Sequence, residues 1–321
     1  MTQTRSDADE RDAPADGMAW IPGGTYRMGS EEFYPEEAPT REVAVDGFWM
    51  DETPVTNAEF AAFVEESGYT TFPERDPDPD DYPGADPADL VAGSAVFAQP
   101  DRQVTLQNPN RWWEYVRGAD WRHPFGPDSS IDGRMDHPVV HVAYEDAEAY
   151  AEWAGKRLPT EAQWERAARG GLSGKRFVWG DEHVPDGRLM ANTWQGEFPN
   201  ENTTLDGYER TSPVGAFPEN GFGLYDVAGN VWEWARDWFS ADPTAGASPA
   251  CCTPTNPRGL GEEQSVDPRD PSRMPRKVLK GGSHLCAPNY CFRYRPAARY
   301  PEPIDTSTSH VGFRCVVPAE G

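Results

Sequence analysis

Apolar positions along this chain rarely run long enough to build extended regular structure. MAWIPGGTYRMGS (18–30) and REVAVDGFWM (41–50) carry alternating or β-rich apolar residues between turn formers, which predicts two strands. From Thr56 the period changes. NAEFAAFVEESG puts Phe60, Phe63 and Val64 on one face and stops at Gly68, the pattern of an amphipathic helix. HPVVHVAY (137–144) predicts a short strand and YEDAEAYAEWAG (144–155) a helix ending at Gly155. LPTEAQWERAARGG (158–171) is the plainest helix: Thr160 and Gln163 form a capping-box pair, Trp164, Ala167 and Ala168 face inward, and Gly170–Gly171 end it. VLKGGSHL (278–285) and HVGFRCVV (310–317) predict late strands. Two stretches lack any period: a Pro/Asp-rich insertion near 75–100, and a long loop over 241–276 that holds Cys251 and Cys252. No fixed-period repeat appears. The expected architecture is a single α+β domain over 18–317, loop-rich, behind a disordered acidic tail over 1–17.

Composition narrows the functional classes. The chain has 54 acidic against 29 basic residues, a net charge of −25 that speaks against nucleic acid or an anionic membrane as the main partner. Only Lys156, Lys175, Lys277 and Lys280 are lysines, and scarce Lys beside abundant Asp suggests adaptation to salt, which screens self-repulsion. A mean hydropathy of −0.76 is low, yet 12 Trp, 14 Phe and 12 Tyr bury enough area per residue for a sizeable core. The start has neither a basic n-region nor an apolar h-region and no run reaches a membrane span, so a cytoplasmic location is expected. In a reducing compartment five cysteines are expected to bind metal or do chemistry rather than staple the fold.

GGSHLCAPNYCFRYR (281–295) concentrates that chemistry. Pro288 and Asn289 favour a turn that would bring Cys286 and Cys291 together, and Arg293 and Arg295 would favour thiolates. Two thiolates without His or Asp partners suit a soft ion such as Cu(I), whereas zinc wants four ligands. A redox-active disulfide and a pair of inert buried thiols stay open on spacing alone. Adjacent Cys251 and Cys252 are poorly set to chelate one ion, and Cys315 in VGFRCVV reads as a small buried hydrophobe. The histidines offer one close pair, His137 and His141, and read as satisfied or solvent-facing. Asp226 and Glu233 bracket a turn at Gly229, and Asn192 and Asp206 bracket another. Either pair could offer hard oxygens to Ca2+, although such residues are commonly plain turn formers. Trp232 and Trp234 read as core.

IPGGTYRMGS, GADWRHPFGPDS, the 137–171 stretch, ANTWQGEFP, GLYDVAGNVWEW, GGSHLCAPNYCFRYR and HVGFRC together resemble the formylglycine-generating enzymes, or sulfatase-modifying factors, in order and over roughly 18–317. KRLPTEAQWE and GNVWEW are shared by a wider superfamily, while the cysteine segment and WRHPxGPDS are specific to formylglycine generators. The resemblance implies a compact fold related to C-type lectins. It also implies an activity: oxidation by O2 of a cysteine in a Cys-x-Pro-x-Arg peptide of an unfolded or nascent sulfatase to Cα-formylglycine, by a monomer. By the same resemblance Cys286 and Cys291 bind Cu(I), Ser283, Tyr290 and Arg293 line that site, and Trp232 lies near the oxygen pocket. Two calcium sites carry over: Asn192, the Thr193 carbonyl, Asp206 and the Tyr208 carbonyl; and Asp226, the Gly229 and Val231 carbonyls, and Glu233. The 75–100 insertion and Cys251–Cys252 have no counterpart. Two rivals share the superfamily. An iron-dependent sulfoxide synthase needs a histidine triad, yet no histidine precedes His123. A calcium-binding lectin-like module without catalysis would have no use for both Cys286 and Cys291.

Overall fold

Glycine breaks each of the two expected N-terminal strands in half. The computed structural model describes residues 13–82, 84–245, 253–270 and 272–319, so Cys251, Cys252 and most of the acidic tail lie outside the described residues. In place of two strands there are four: β1 (Met18–Ile21), β2 (Gly24–Met28), β3 (Arg41–Val45) and β4 (Phe48–Asp51). At the second break Gly47 lies so close under Trp20 that a Cβ would stand 2.5 Å from the indole. The breaks let β2 and β3 pair as a separate hairpin while β1 pairs with β4. Gly17 already accepts from Glu52 N–H, so paired backbone begins just before β1.

The three helices form where periodicity and caps agree. α1 (Asn57–Ser67) starts on a Thr56/Glu59 capping box and ends at Gly68 in the left-handed region. α2 (Tyr144–Trp153) and α3 (Glu161–Ala168) follow, the latter capped by Thr160 and Gln163. Phe60 is fully buried, with Trp121, Tyr150 and Phe313 around its ring, and burying a side chain of this kind contributes roughly 1.5–3 kcal/mol.

Several strand expectations need correction. HPVVHVAY forms no strand: Pro138 cannot donate to a ladder, and His141 adopts φ 60°, which breaks extended backbone. The end of the acidic insertion holds β5 (Gly93–Phe97), paired antiparallel with β6 (Trp113–Arg117). GNVWEW opens an unexpected strand, β7 (Trp232–Trp238), which is buried on both faces over its first half and so shows no alternation. β8 (Arg276–Lys280) and β9 (Tyr300–Pro303) follow. HVGFRCVV splits into β10 (Val311–Gly312), parallel to β7, and β11 (Val316–Pro318), which joins β4. Cys315 is buried as expected, but in the bend between them. The sheets are β1-β4-β11, β10-β7-β8-β9 and the two hairpins, a loop-rich α+β fold. The 281–299 loop between β8 and β9 carries the cysteines.

Candidate active site

Backbone turns bring the two thiols together. Cys286 N–H bonds the Ser283 carbonyl at 2.9 Å, and the N–H groups of Tyr290 and Cys291 both return to the Ala287 carbonyl, at 3.1 and 2.9 Å. Asn289, in the turn that Pro288 starts, docks on Phe198 through its side-chain amide (Nδ2 to the carbonyl at 3.0 Å, Oδ1 from the N–H at 3.3 Å). The result is a Cys286 Sγ to Cys291 Sγ distance of 3.0 Å between two free cysteines. Their environments differ. Cys286 is buried and donates to Cys291, and burial pushes its thiol well up. Cys291, at the partly exposed side, is held below the usual thiol range by that hydrogen bond and by Arg293. Cys291 is therefore the more acidic thiol of the pair.

Of the expected lining residues, Ser283 touches the pair directly, and the others lie around it at different depths. Ser283 is fully buried, its N–H 3.4 Å from Cys286 Sγ, and its hydroxyl accepts from Leu285 N–H at 3.2 Å. Tyr290 stacks on Phe198 with centroids 4.3 Å apart and meets Trp112 edge-on, yet stays 39% exposed, which puts it at the mouth. Trp232 is buried in the same apolar cluster as Cys286, its ring 5.8 Å from Tyr300. Arg293 bonds Glu36 through Nη2 at 2.8 Å and covers the Tyr34 ring at 3.6 Å. Three of these neighbours, Tyr34, Glu36 and His310, were not expected. His310 Nδ1 lies 3.4 Å from Ser283 Oγ, and its ring stands edge-on to Trp113 at 4.9 Å. The other histidines are engaged as expected, His141 by Ser94 and the Pro124 carbonyl, and His284 by the Asn230 carbonyl.

Among the described residues no three His, Cys, Asp or Glu side chains converge as a metal site. A soft ion here would rest on two thiols, and a hard ion would need carbonyl and amide oxygens. The oxygen-bearing loops have such acceptors to spare. Asp206 takes Tyr208 N–H on Oδ1 at 3.0 Å but keeps Oδ2 buried with no partner, and the Tyr208 carbonyl accepts nothing among the described residues. In the second loop Asp226 is buried, which raises its carboxyl, and Glu233 receives Arg314 on both oxygens at 2.8 Å. Trp164 Nε1 adds a second bond to Glu233 Oε2, so Oε1 retains a lone pair. The Gly229 carbonyl is also unused among the described residues. The loops touch: Asn230 N–H bonds the Asn192 carbonyl at 2.8 Å, and a Cβ on Gly229 would stand 2.1 Å from that oxygen.

Comparison with known proteins places this arrangement. The model of the sulfatase-modifying factor enzyme 1-like domain matches residues 2–319. The formylglycine-generating enzyme of Mycobacterium tuberculosis is 54% identical over 300 residues, covering 92% of this chain and 96% of that one. The chain belongs to the formylglycine-generating enzyme family. The family's member from Streptomyces coelicolor is 46% identical over 95% of this chain and 90% of its own length. Among solved structures, PvdO from Pseudomonas aeruginosa overlays with a TM-score of 0.58 over 94% of both chains, and at 23% identity it speaks for the fold alone. Within the formylglycine-generating enzyme fold, the residues missed at the cysteine pair are far from it in sequence. Tyr34 and Glu36 lie in a turn between β2 and β3, and His310 precedes β10. FYPEE beside an arginine-rich cysteine loop was the one available signal, a run of acid and aromatic residues matching Arg293 and Arg295.

Proposed function

We propose that this enzyme converts a cysteine of a sulfatase polypeptide to Cα-formylglycine, with Cu(I) held by Cys286 and Cys291 and O2 as oxidant. The convergence of two free thiols 3.0 Å apart carries the reading, supported by similarity to formylglycine-generating enzymes over nearly the full chain. Two thiolates suit Cu(I) and leave room for a third sulfur, the substrate's own. Bound there, the metal supplies the redox chemistry with O2 that turns the substrate Cβ–S carbon into an aldehyde.

The remaining work belongs to the protein. Cys291 is already deprotonation-prone, and the Ser283 N–H steadies the Cys286 sulfur. Tyr290, Phe198 and Trp112 form an aromatic wall that excludes water and aligns an extended peptide, converting a bimolecular encounter into a local one. A net charge of −25 favours a substrate whose motif, Cys-x-Pro-x-Arg, carries an arginine. The enzyme acts as a monomer in the cytoplasm, where the thiols stay reduced. Ca2+ at the Asn192/Asp206 and Asp226/Glu233 loops is structural.

The test is incubation of copper-loaded protein with a Cys-x-Pro-x-Arg peptide in air, followed by mass spectrometry. The aldehyde product should form and should vanish in Cys286→Ser and Cys291→Ser while both variants stay folded. Copper-loaded wild-type protein that yields no aldehyde would sink the assignment.

A further inference from the structure

A segment some 250 residues upstream grips the cysteine loop. Tyr34 leads into a single 3-10 turn, Pro35–Glu37, between β2 and β3. Glu37 and Arg295, both buried, form a two-point ion pair at 2.8 and 2.5 Å, with Phe33 against the guanidinium at 3.8 Å. This pair anchors the turn. Next to this pair, Glu36 takes Arg293 Nη2 and Tyr34 covers the guanidinium face. Tyr34 Oη also accepts Phe292 N–H at 3.0 Å, fixing the backbone beside Cys291. The guanidinium is a rigid plane, so with Nη2 and one face occupied its orientation is set. Among its other donors, Nε is buried with no hydrogen-bond partner among the described residues, two positions along the loop from Cys291. A buried donor left open is destabilising unless an acceptor arrives.

We infer that Tyr34 and Glu36 are positioning residues that hold Arg293 with an unspent donor beside Cys291, as counter-charge for a two-thiolate Cu(I) site. The inference rests on the copper assignment above. One monovalent ion on two thiolates leaves a net negative charge in a buried place, and such a charge needs a fixed donor. Glu36 acts by aligning Arg293, since its own negative charge would oppose thiolates.

The experiment measures Cu(I) affinity of the full-length, metal-free protein by competition with a chromogenic Cu(I) chelator, alongside each variant's melting temperature. Tyr34→Ala and Glu36→Ala should each weaken Cu(I) binding about tenfold, the lower end for loss of a group that orients a metal ligand. Glu36→Gln keeps an oxygen for Nη2 and should stay within about twofold of wild type, because alignment survives without the charge. Folded Tyr34→Ala and Glu36→Ala with wild-type affinity would overturn the inference. So would Glu36→Gln and Glu36→Ala shifting alike, which would mean bulk charge rather than alignment. A wild-type chain that binds no Cu(I) would remove the copper site itself, and the role of the turn with it.

Discussion

At the scale of single residues, the thiols declare themselves and their helpers do not. Cys286 and Cys291 are legible because thiol chemistry belongs to the residue type and the Pro288–Asn289 turn between them is local. His310 is 27 positions from Ser283, and a lone histidine before an apolar run gives no sign of facing that serine. The contact nevertheless has a direction. Ser283 Oγ already accepts Leu285 N–H, so its own proton is free for His310 Nδ1. Burial and the neighbouring His284 and His141 hold the imidazole neutral, and hence able to accept, well below the usual histidine range. His310→Ala should lower kcat roughly 10- to 100-fold with KM little changed, the range for loss of an orienting partner. His310→Asn, whose side-chain oxygen reaches the place of Nδ1, should recover most of that rate. Steady-state kinetics on the Cys-x-Pro-x-Arg peptide decide it. Equal loss in both variants would mean the ring matters only as packing.

At the scale of elements, legibility follows locality. All three helices were readable because periodicity, caps and stops lie within a dozen residues of one another. The strands were legible only in part: β1 to β4 and β8 fall in or overlap expected stretches. In contrast, β7 lacks alternation because its first half is buried on both faces, and β10 and β11 are short pieces set by partners far away. The Asx-rich turns are visible in the sequence, yet only the folded arrangement reveals that they lean on each other through Asn192, Gly229 and Asn230. That contact ties their stabilities together. If Ca2+ occupies the Asp206 loop, a chelator should lower the melting temperature of calcium-loaded protein by several degrees, since metal that binds only the folded state stabilises it by mass action. Asp206→Ala should melt lower from the start and respond less to the chelator. An unchanged wild-type melting curve after chelation would exclude a structural ion.

At the scale of the whole molecule, buried titratable groups pull stability in opposite directions along the pH axis. His141 and His284 are buried and neutral, and desolvation holds each down to about 4. The unfolded chain therefore takes up more protons than the folded one between about pH 6.5 and 4, so their stabilising share is full above that window and is lost as pH falls through it. Two carboxyls act the other way. Burial raises Asp146 to about 6, and desolvation of the half-buried Glu302 raises it to about 8. The folded chain then holds the extra protons, and stability falls as pH rises from the ordinary carboxylate range toward those values. The opposing slopes place maximal stability in the mildly acidic to neutral range, and Glu302 governs the alkaline side because its window reaches furthest. Glu302→Gln retains a polar side chain for Thr306 but cannot ionise. Urea midpoints of wild type and Glu302→Gln, measured from pH 5 to 8, should nearly converge at the acid end and separate toward pH 8, with the variant more stable there. Parallel curves across the range would show that Glu302 is ionised in the folded protein, and that the alkaline loss has another source.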